Sequence, residues 1–232
     1  MKILGYMQVH NEERFAPHAL RSVIDVVDNM VVTLDRCTDK TKERLNEFRG
    51  KADFQEIAPG EDSAEQLTNL MKNLFVDSSY DWIFIVRGDE IYHESIKDLR
   101  AFLQKHPLDD VYRVMGYTIF IANDVYTQYT DPLRAKMNHS STLLLNNNEI
   151  EEVLECNRWG PLRMKCRSGS PTVFDSRNGM GLYRCPTSFH MHFCTRSETK
   201  TVRPHSPDED KYKVYIEKDQ GNLYKKIFED VE

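Results

Sequence analysis

The chain has 232 residues, of which 29% are charged and 40% hydrophobic, and its net charge is -6. These values exclude an intrinsically disordered chain, and the negative charge excludes a global field that would attract nucleic acid. No apolar run reaches the ~20 residues that span a bilayer, and no secretory signal pattern opens the sequence, so we expect a cytoplasmic protein. Five cysteines without C-x-x-C spacing predict reduced thiols rather than disulfides or a zinc site.

The first half of the chain alternates strand and helix patterns. Strands are predicted over residues 3–9, 30–34, 54–57 and 82–86, and helices over residues 12–27, 38–48, 63–75 and 95–103. Strands that alternate with helices predict an α/β fold with a mostly parallel sheet, right-handed crossovers and helices on its faces.

The second half has a different pattern. Residues 111–122 and 141–145 predict two further strands, the first of them rich in aromatic residues. Residues 146–207 are rich in Gly, Pro, Asn and Ser, and their regular structure is hard to predict. The charged tail, residues 208–232, predicts a docked helix or helix pair. We therefore expect one domain with two halves, residues 1–107 and 108–207, followed by this tail.

The stretch D-W-I-F-I-V-R-G-D-E, residues 81–90, is the most informative in the chain. Five consecutive apolar residues indicate a strand buried on both faces, as in parallel sheets. Ligands of open α/β sheets bind beyond the carboxyl ends of such strands. Here that end carries Arg87, Gly88, Asp89 and Glu90, and two adjacent acids suit a hard divalent cation and, through it, a phosphate.

Two other predicted strands also end in polar motifs. The first delivers V-H-N-E-E, residues 9–13, and the second delivers L-D-R-C-T-D-K-T, residues 34–41. With R-G-D-E, this set resembles the family 2 glycosyltransferases of GT-A fold, which carry N-E-E, a D-G-S-T-D-G-T-like segment and D-x-D with a following acid. The positions that match the second family motif are Asp35, Thr38, Asp39 and Thr41. The resemblance covers about the first 105 residues.

The resemblance implies a Rossmann-like GT-A domain whose first half binds a nucleotide-sugar donor, either a UDP-sugar or a GDP-sugar. Asp35 would accept a hydrogen bond from the donor's nucleobase. Val9 and Asn11 would line the nucleoside pocket, and Glu12 would approach the base or the ribose. The less regular second half would carry the acceptor and the catalytic base.

The resemblance also implies a metal site, with one departure from the family pattern. Asp89 matches the last acid of D-x-D, which holds the Mn²⁺ or Mg²⁺ that bridges the donor phosphates. Arg87 stands where the family has the first Asp, with Gly88 between them. This arginine would either contact the diphosphate or neutralise a neighbouring acid. His192, and after it His190, would complete the metal site, because GT-A enzymes often return a histidine to it.

An inverting transferase needs a carboxylate that takes the proton of the acceptor hydroxyl. Glu152 and Asp175 are our first candidates, ahead of Asp131 and Glu151. A retaining mechanism stays open.

The leading function is a glycosyltransferase that acts on a saccharide or envelope glycan, or on a hydroxymethylated base in DNA of the phage type. Residues 158–203 hold nine Lys or Arg and two acids, which is compatible with an anionic acceptor. The alternative is a non-catalytic nucleotide-binding or glycan-binding module of the same fold. A nucleotidyltransferase is disfavoured. It would need a basic, glycine-rich phosphate loop after the first strand, and the loop at that place in this sequence is acidic. The oligomeric state is not predicted.

Overall fold

The structure is a computed structural model that describes residues 1–57, 63–76, 79–105, 113–122, 125–129, 143–157, 160–167, 180–193 and 213–215. Beyond residue 105, side chains are described only for residues 144–155, 164, 165 and 167.

The first half contains the strands and helices that the sequence predicts. Its strands are β1 (Ile3–Val9), β2 (Asn29–Asp35), β3 (Asp53–Ile57), β4 (Trp82–Arg87) and β5 (Glu90–Tyr92). Its helices are α1 (Ala16–Val23), α2 (Thr41–Arg44) with a 3₁₀ extension (Leu45–Phe48), α3 (Ser63–Val76), and α4 (Leu99–Lys105), which follows a 3₁₀ turn (Glu94–Asp98). Only the three-residue β5 was not predicted, because it is too short for a periodic signal.

The second half contributes more strands than predicted. They are β6 (Arg113–Ala122), β7 (Val125–Tyr129), β8 (Leu143–Asn146), β9 (Ile150–Asn157), β10 (Gly160–Cys166), β11 (Met180–Phe193) and β12 (Lys213–Tyr215), with a 3₁₀ turn (Asn147–Glu149) before β9. The tail supplies β12, and the helix predicted there lies outside the described residues.

One large sheet organises the described residues. Its order is β12-β7-β6-β8-β4-β1-β2-β3, and β11 pairs with both β5 and β6. The four strands β3, β2, β1 and β4 run parallel, whereas β8 joins β4 in the antiparallel sense. The prediction of a mostly parallel sheet is confirmed for the first half. The antiparallel additions come from segments whose partners are distant in sequence, which a local pattern does not reveal.

Both faces of the central strands are buried, as the uninterrupted apolar pattern predicted. In β4, Trp82, Phe84 and Val86 belong to one buried cluster with α1 and α4, while Ile83 and Ile85 belong to a second cluster with α3. Side chains alternate between the faces of a strand, so this division follows from the period of two. Packing in the two clusters fixes the position of β4 along the strand direction, and therefore the position of the turn that follows it.

Helix α1 begins four residues later than predicted. Residues 12–15 form a turn in which the backbone nitrogen of Ala16 donates to the carbonyl of Glu12, and Pro17 occupies the first helical turn, where a missing N–H costs little. Because the helix starts late, residues 10–13 form a loop at the end of β1, and the backbone nitrogens of Glu12 and Glu13 bond to the loop after β2. Among the described residues, no helix is long and apolar enough to cross a membrane.

Candidate active site

Three loops meet at the carboxyl edge of the parallel strands. In the register of the sheet, Val9 lies beside Leu34 of β2, and Gln8 lies beside Arg87 of β4. The three strands therefore end at nearly the same height, with β1 in the middle. Neighbouring strands are about 4.8 Å apart, so the ends of β2 and β4 are separated by roughly 10 Å. The convergence that the sequence predicted is confirmed for these loops.

The loops after β1 and β2 are joined by a series of hydrogen bonds. The side-chain nitrogen of Asn11 donates to Thr38 Oγ1 at 3.0 Å, and the backbone nitrogen of Thr38 donates back to Asn11 Oδ1 at 2.8 Å. The backbone nitrogen of Glu12 donates to Thr41 Oγ1 at 2.9 Å, and that of Lys40 donates to Glu13 Oε2 at 2.9 Å. These bonds explain why the D-x-x-T-D-x-T pattern needs its polar residues: they hold the first loop in place.

Backbone strain is concentrated in the same two loops. Among the described residues other than glycine, only Asn11 and Arg36 have a positive φ, of 51° and 50°. This left-handed conformation is tolerated by asparagine, but it costs an ordinary L-residue about 1–2 kcal/mol. Such strain persists where the surrounding contacts over-determine the backbone, and it is common at binding sites.

Asp35 is buried beneath the side chain of its neighbour. Arg36 donates from Nε to Asp35 Oδ1 at 2.7 Å and from one terminal nitrogen to Oδ2 at 3.2 Å, while Gln8 Nε2 approaches Oδ2 at 3.4 Å. The Asp35 side chain is 1% exposed and that of Arg36 is 40% exposed. The hydrogen bond and charge of Asp35 raise the pKa of the Arg36 guanidinium. His10 Nδ1 donates to the Asp35 carbonyl at 2.6 Å and fixes the backbone at the same point.

The turn after β4 packs directly on the first loop. A Cβ placed on Gly88 would lie 2.8 Å from Val9 Cγ1 and 3.1 Å from Glu12 Cγ. Only glycine permits this approach of backbone to side chain. The turn therefore presents Asp89, which is also buried, beside the first loop. Gly88 of the predicted phosphate site therefore packs against Val9 and Glu12 of the predicted nucleoside site.

Arg87 is paired with an acid of its own turn. Its Nη1 atom lies 3.4 Å from Glu90 Oε1, and the hydroxyl of Tyr92 donates to Glu90 Oε2 at 3.3 Å. Glu90 has no exposed surface, whereas Arg87 is 33% exposed. Of the two roles considered for Arg87, this pairing corresponds to neutralisation of a neighbouring acid.

Strand β11 brings the histidine segment to this part of the sheet. It pairs antiparallel with β5, and His190 is in register with Glu90. His192 lies two residues further along the same strand, and its side chain is outside the described residues. Within the described part of the chain, no group of three His, Cys, Asp or Glu side chains could hold a metal ion. The described residues alone therefore do not fit a complete metal centre, and the metal assignment of Asp89 and His192 stays a prediction.

Glu152 lies in the two-stranded sheet of β9 and β10, where it is exposed and in register with Lys165. Asn147, five residues before it, donates to the carbonyls of Asp81 and Tyr80, which precede β4 at the amino edge of the large sheet. Lys165 Nζ pairs with Glu151 at 2.6 Å. Nothing described brings Glu152 to the carboxyl edge, and its catalytic role stays a prediction. Asp175 and Asp131 lie outside the described residues.

A cleft of about 630 Å³ lies away from these loops, and its lining includes Asn29, Lys51, Asn73 and Tyr80. These residues lie at the amino ends of β2, β3 and β4 or on α3, so this cleft is at the opposite edge of the sheet from the converged motifs. The concentration of polar motifs and strained backbone, rather than cleft volume, identifies the carboxyl edge as the candidate site.

No protein-family model and no curated protein matches this sequence. Solved structures do match. The crystal structure of S. aureus TarS 1–349 is 13% identical, with a TM-score of 0.50 over 83% of this chain and 61% of that chain. A longer TarS crystal structure gives 14% identity and a TM-score of 0.50, over 82% of this chain and 37% of that one. The predicted GT-A fold is confirmed.

At this level of identity the likeness to TarS concerns the fold. Glucosyl-3-phosphoglycerate synthase from Mycobacterium tuberculosis, crystallised with Mn²⁺, UDP and phosphoglyceric acid, is 17% identical over 64% of this chain and 57% of that chain, with a TM-score of 0.40. The present chain spans less than two thirds of the length of either TarS structure.

Two residues that contact Asp35 were given no role in the site from the sequence. Arg36 replaces a glycine of the family motif, and His10 lies between Val9 and Asn11 of the first loop. A signal for Arg36 was present in the sequence, because the similar family has Gly at that position and glycine often marks a positive φ. No comparable signal identified His10, because its partner is a backbone carbonyl of another strand.

Cys37 is the cysteine whose side chain the structure describes, and it is a free thiol. Its Sγ lies 3.6 Å from the carbonyl of Val9. Burial raises the pKa of Cys37 to about 11. The thiol is therefore protonated at neutral pH, and its free state agrees with the prediction of a reduced thiol for this residue.

Proposed function

We propose that the chain is a glycosyltransferase that moves a sugar from a nucleotide-diphosphate sugar to an acceptor hydroxyl. The observation that carries this proposal is the convergence of three polar loops at the carboxyl edge of a GT-A sheet, with the turn at Gly88 resting on Glu12. The fold supports it, because ligands of open α/β sheets bind at this edge. TarS has also been crystallised in complex with UDP and with UDP-GlcNAc.

The spacing of the site supports an extended ligand. The ends of β2 and β4 lie roughly 10 Å apart, so a ligand that meets both must carry polar groups at two separate places. A nucleotide sugar satisfies this requirement, whereas a single phosphate does not. In the proposal, the nucleoside lies against Val9, Asn11, Glu12 and the corner formed by residues 35 and 36, and the diphosphate lies against the turn after β4.

The charge of the diphosphate requires a cation, and Arg87 is one candidate. Its guanidinium is one-third exposed and its pair with Glu90 is long, at 3.4 Å, so it retains donors for a phosphate oxygen. A Mn²⁺ or Mg²⁺ ion held by Asp89, with His192 as a further ligand, is the other candidate. Such an ion would neutralise the charge that develops on the departing nucleoside diphosphate. Loss of activity after EDTA treatment, with recovery on addition of Mn²⁺, would support the metal. Full activity after exhaustive EDTA treatment, together with near-normal turnover of Asp89→Ala, would exclude it.

The chemical step requires a base if the reaction inverts the anomeric centre. Glu152 and Asp175 are the proposed candidates. Glu152→Gln and Asp175→Asn keep the shape of each side chain, and each is compared with wild type for turnover and for donor affinity. A base is the residue whose substitution lowers turnover at least about 100-fold while donor affinity stays the same.

The acceptor is proposed to be a saccharide of the envelope or a hydroxymethylated base in DNA. The basic segment of residues 158–203 supports an anionic acceptor, while the net charge of -6 limits general affinity for DNA. Binding to hydroxymethylated DNA that weakens with added salt would support the DNA acceptor. If the protein does not bind DNA at low salt, the saccharide is the remaining candidate for the acceptor. A cytoplasmic location belongs to the same proposal.

A thermal-shift screen with UDP, GDP and their sugars, with and without Mn²⁺, tests the proposal. A ligand at 100 times its Kd stabilises the native state by about 2.7 kcal/mol, which corresponds to an increase in Tm of roughly 5–10 °C for a chain of this size. Release of nucleoside diphosphate in the presence of acceptor mixtures then measures turnover. Binding without consumption of any sugar nucleotide would support the alternative, a non-catalytic binding module. Arg87, which stands in place of the first acid of D-x-D, favours that alternative. Absence of binding to every nucleotide would refute the proposal.

A further inference from the structure

The corner after β2 presents a cation where the resemblance led us to expect an acid. Both oxygens of the Asp35 carboxylate accept hydrogen bonds from Arg36, and the carboxylate is 1% exposed. A ligand that approaches this corner therefore meets the guanidinium of Arg36, which is 40% exposed. A nucleobase could reach the Asp35 oxygens only after Arg36 had moved away.

The outer edge of the Arg36 guanidinium remains available for a ligand. A guanidinium has five N–H groups in a planar fork, and two of them donate to Asp35 among the described residues. The remaining N–H groups can donate to an oxygen acceptor in the same plane. Because arginine has donors and no acceptor atom, this edge requires acceptor atoms in the ligand, and carbonyl or phosphate oxygens suit it well.

The guanidinium is held in place before any ligand arrives. Asp35 binds it by two bonds, Gln8 Nε2 lies 3.4 Å from the same carboxylate, and His10 fixes the Asp35 backbone. The positive φ of Arg36, 50°, brings the side chain back over the preceding residue at a cost that the surrounding bonds offset. A donor fork that is already ordered loses less conformational entropy when it binds.

We propose that Arg36 is the residue that contacts the nucleobase of the donor, and that Asp35 is a positioning residue that holds the guanidinium. This inference rests on the proposed nucleotide-sugar function and changes the role that the family resemblance assigns to Asp35. A guanidinium edge donates to base carbonyls, which uracil and guanine carry, whereas the N1 and N7 acceptors of adenine flank an amino group whose hydrogens would face the guanidinium. The site therefore prefers UDP or GDP to ADP, and the preference depends on Arg36.

Three single variants and one double variant test the proposal. Arg36→Gly removes the guanidinium but suits the positive φ, so it keeps the fold, whereas Arg36→Ala retains the strain and serves as the stability control. Asp35→Asn keeps the shape of the carboxyl group. Binding of UDP, GDP and ADP is measured by titration calorimetry for wild type, each single variant, and the double variant Arg36→Gly with Asp35→Asn.

We expect Arg36→Gly to weaken binding of the preferred nucleotide about 10- to 100-fold, the loss that accompanies removal of a charged hydrogen-bond donor. The ratio of UDP or GDP affinity to ADP affinity should fall toward one. Asp35→Asn should weaken binding and lower the same ratio, and it should add less than about 2-fold in the Arg36→Gly background, because it acts through Arg36. A purely structural role would change the Tm of the free protein without changing this ratio.

The opposite pattern would overturn the inference. If Arg36→Gly binds UDP or GDP as well as wild type or better, and Asp35→Asn abolishes binding in that background, Asp35 is the direct acceptor and Arg36 only covers it. The proposed function would survive that result. A wild-type preference for ADP would also overturn the inference. If wild type binds no nucleoside diphosphate, the proposed function and this inference both fail.

Discussion

Gly88→Ala is the substitution whose effect the structure defines most sharply. The new Cβ would lie 2.8 Å from Val9 Cγ1 and 3.1 Å from Glu12 Cγ, although Cβ contacts are ordinarily 3.4 Å or longer. Val9 is 1% exposed and β-branched, so its methyl group has no alternative rotamer into open space. The turn must therefore move away from the first loop by about half an ångström or more.

The cost of this displacement follows from overpacking of a buried contact. Such insertions destabilise a protein by about 1–3 kcal/mol, and 1 kcal/mol lowers the Tm of a domain of this size by roughly 2–4 °C. We expect a decrease in Tm of about 2–12 °C, together with weaker binding of nucleoside diphosphates, because the turn that presents Asp89 has moved. Thermal unfolding and calorimetric titration measure the two effects.

Gly50→Ala is the matched control. Gly50 has a φ of 99° and open space around its Cα, so a Cβ there strains the backbone without touching a neighbour. This variant should lose stability by about 1 kcal/mol, the scale of an unfavourable φ, and should bind nucleotide as wild type does. The reasoning is refuted if Gly88→Ala melts at the wild-type temperature, or if both variants lose nucleotide affinity to the same extent.

Three further predictions concern the residues around this contact. Arg87→Ala should lower stability by about 1–3 kcal/mol in thermal unfolding, because it removes the ion pair between Arg87 and fully buried Glu90; an unchanged Tm would show that this pair does not stabilise the fold. Asn11→Gly should be more stable than Asn11→Ala in urea titrations, since both lose the bonds to Thr38 but only glycine suits a φ of 51°; equal stability would contradict the left-handed assignment. The pKa of Cys37 is raised from 9.0 to about 11, so its thiolate fraction at pH 8 should be about 100-fold lower in the native protein than in urea, and alkylation correspondingly slower. Because the native state favours the protonated thiol, this group should make stability fall as pH rises from 9 toward 11, and Cys37→Ala should remove that slope.

The sequence determined the architecture of the first half by itself. The apolar run of residues 82–86 predicted a strand buried on both faces, and β4 has apolar side chains in both buried clusters. The positions of β1, β2, β3 and α3 were also predicted to within one residue at each end. These features depend on local periodicity and on the short, right-handed connections of βαβ units, which the order of residues encodes directly.

The tertiary structure decided what depends on distant partners. Strand β8 pairs with β4 across about sixty residues, and β11 pairs with both β5 and β6, so no local pattern could place either strand. The same holds within the site. The sequence brought Asp35 and Asp89 to one edge, but only the structure showed that Arg36 covers Asp35 and that Glu90 pairs with Arg87. A motif states which groups reach an edge, whereas backbone dihedrals and neighbouring side chains determine which of those groups a ligand can touch.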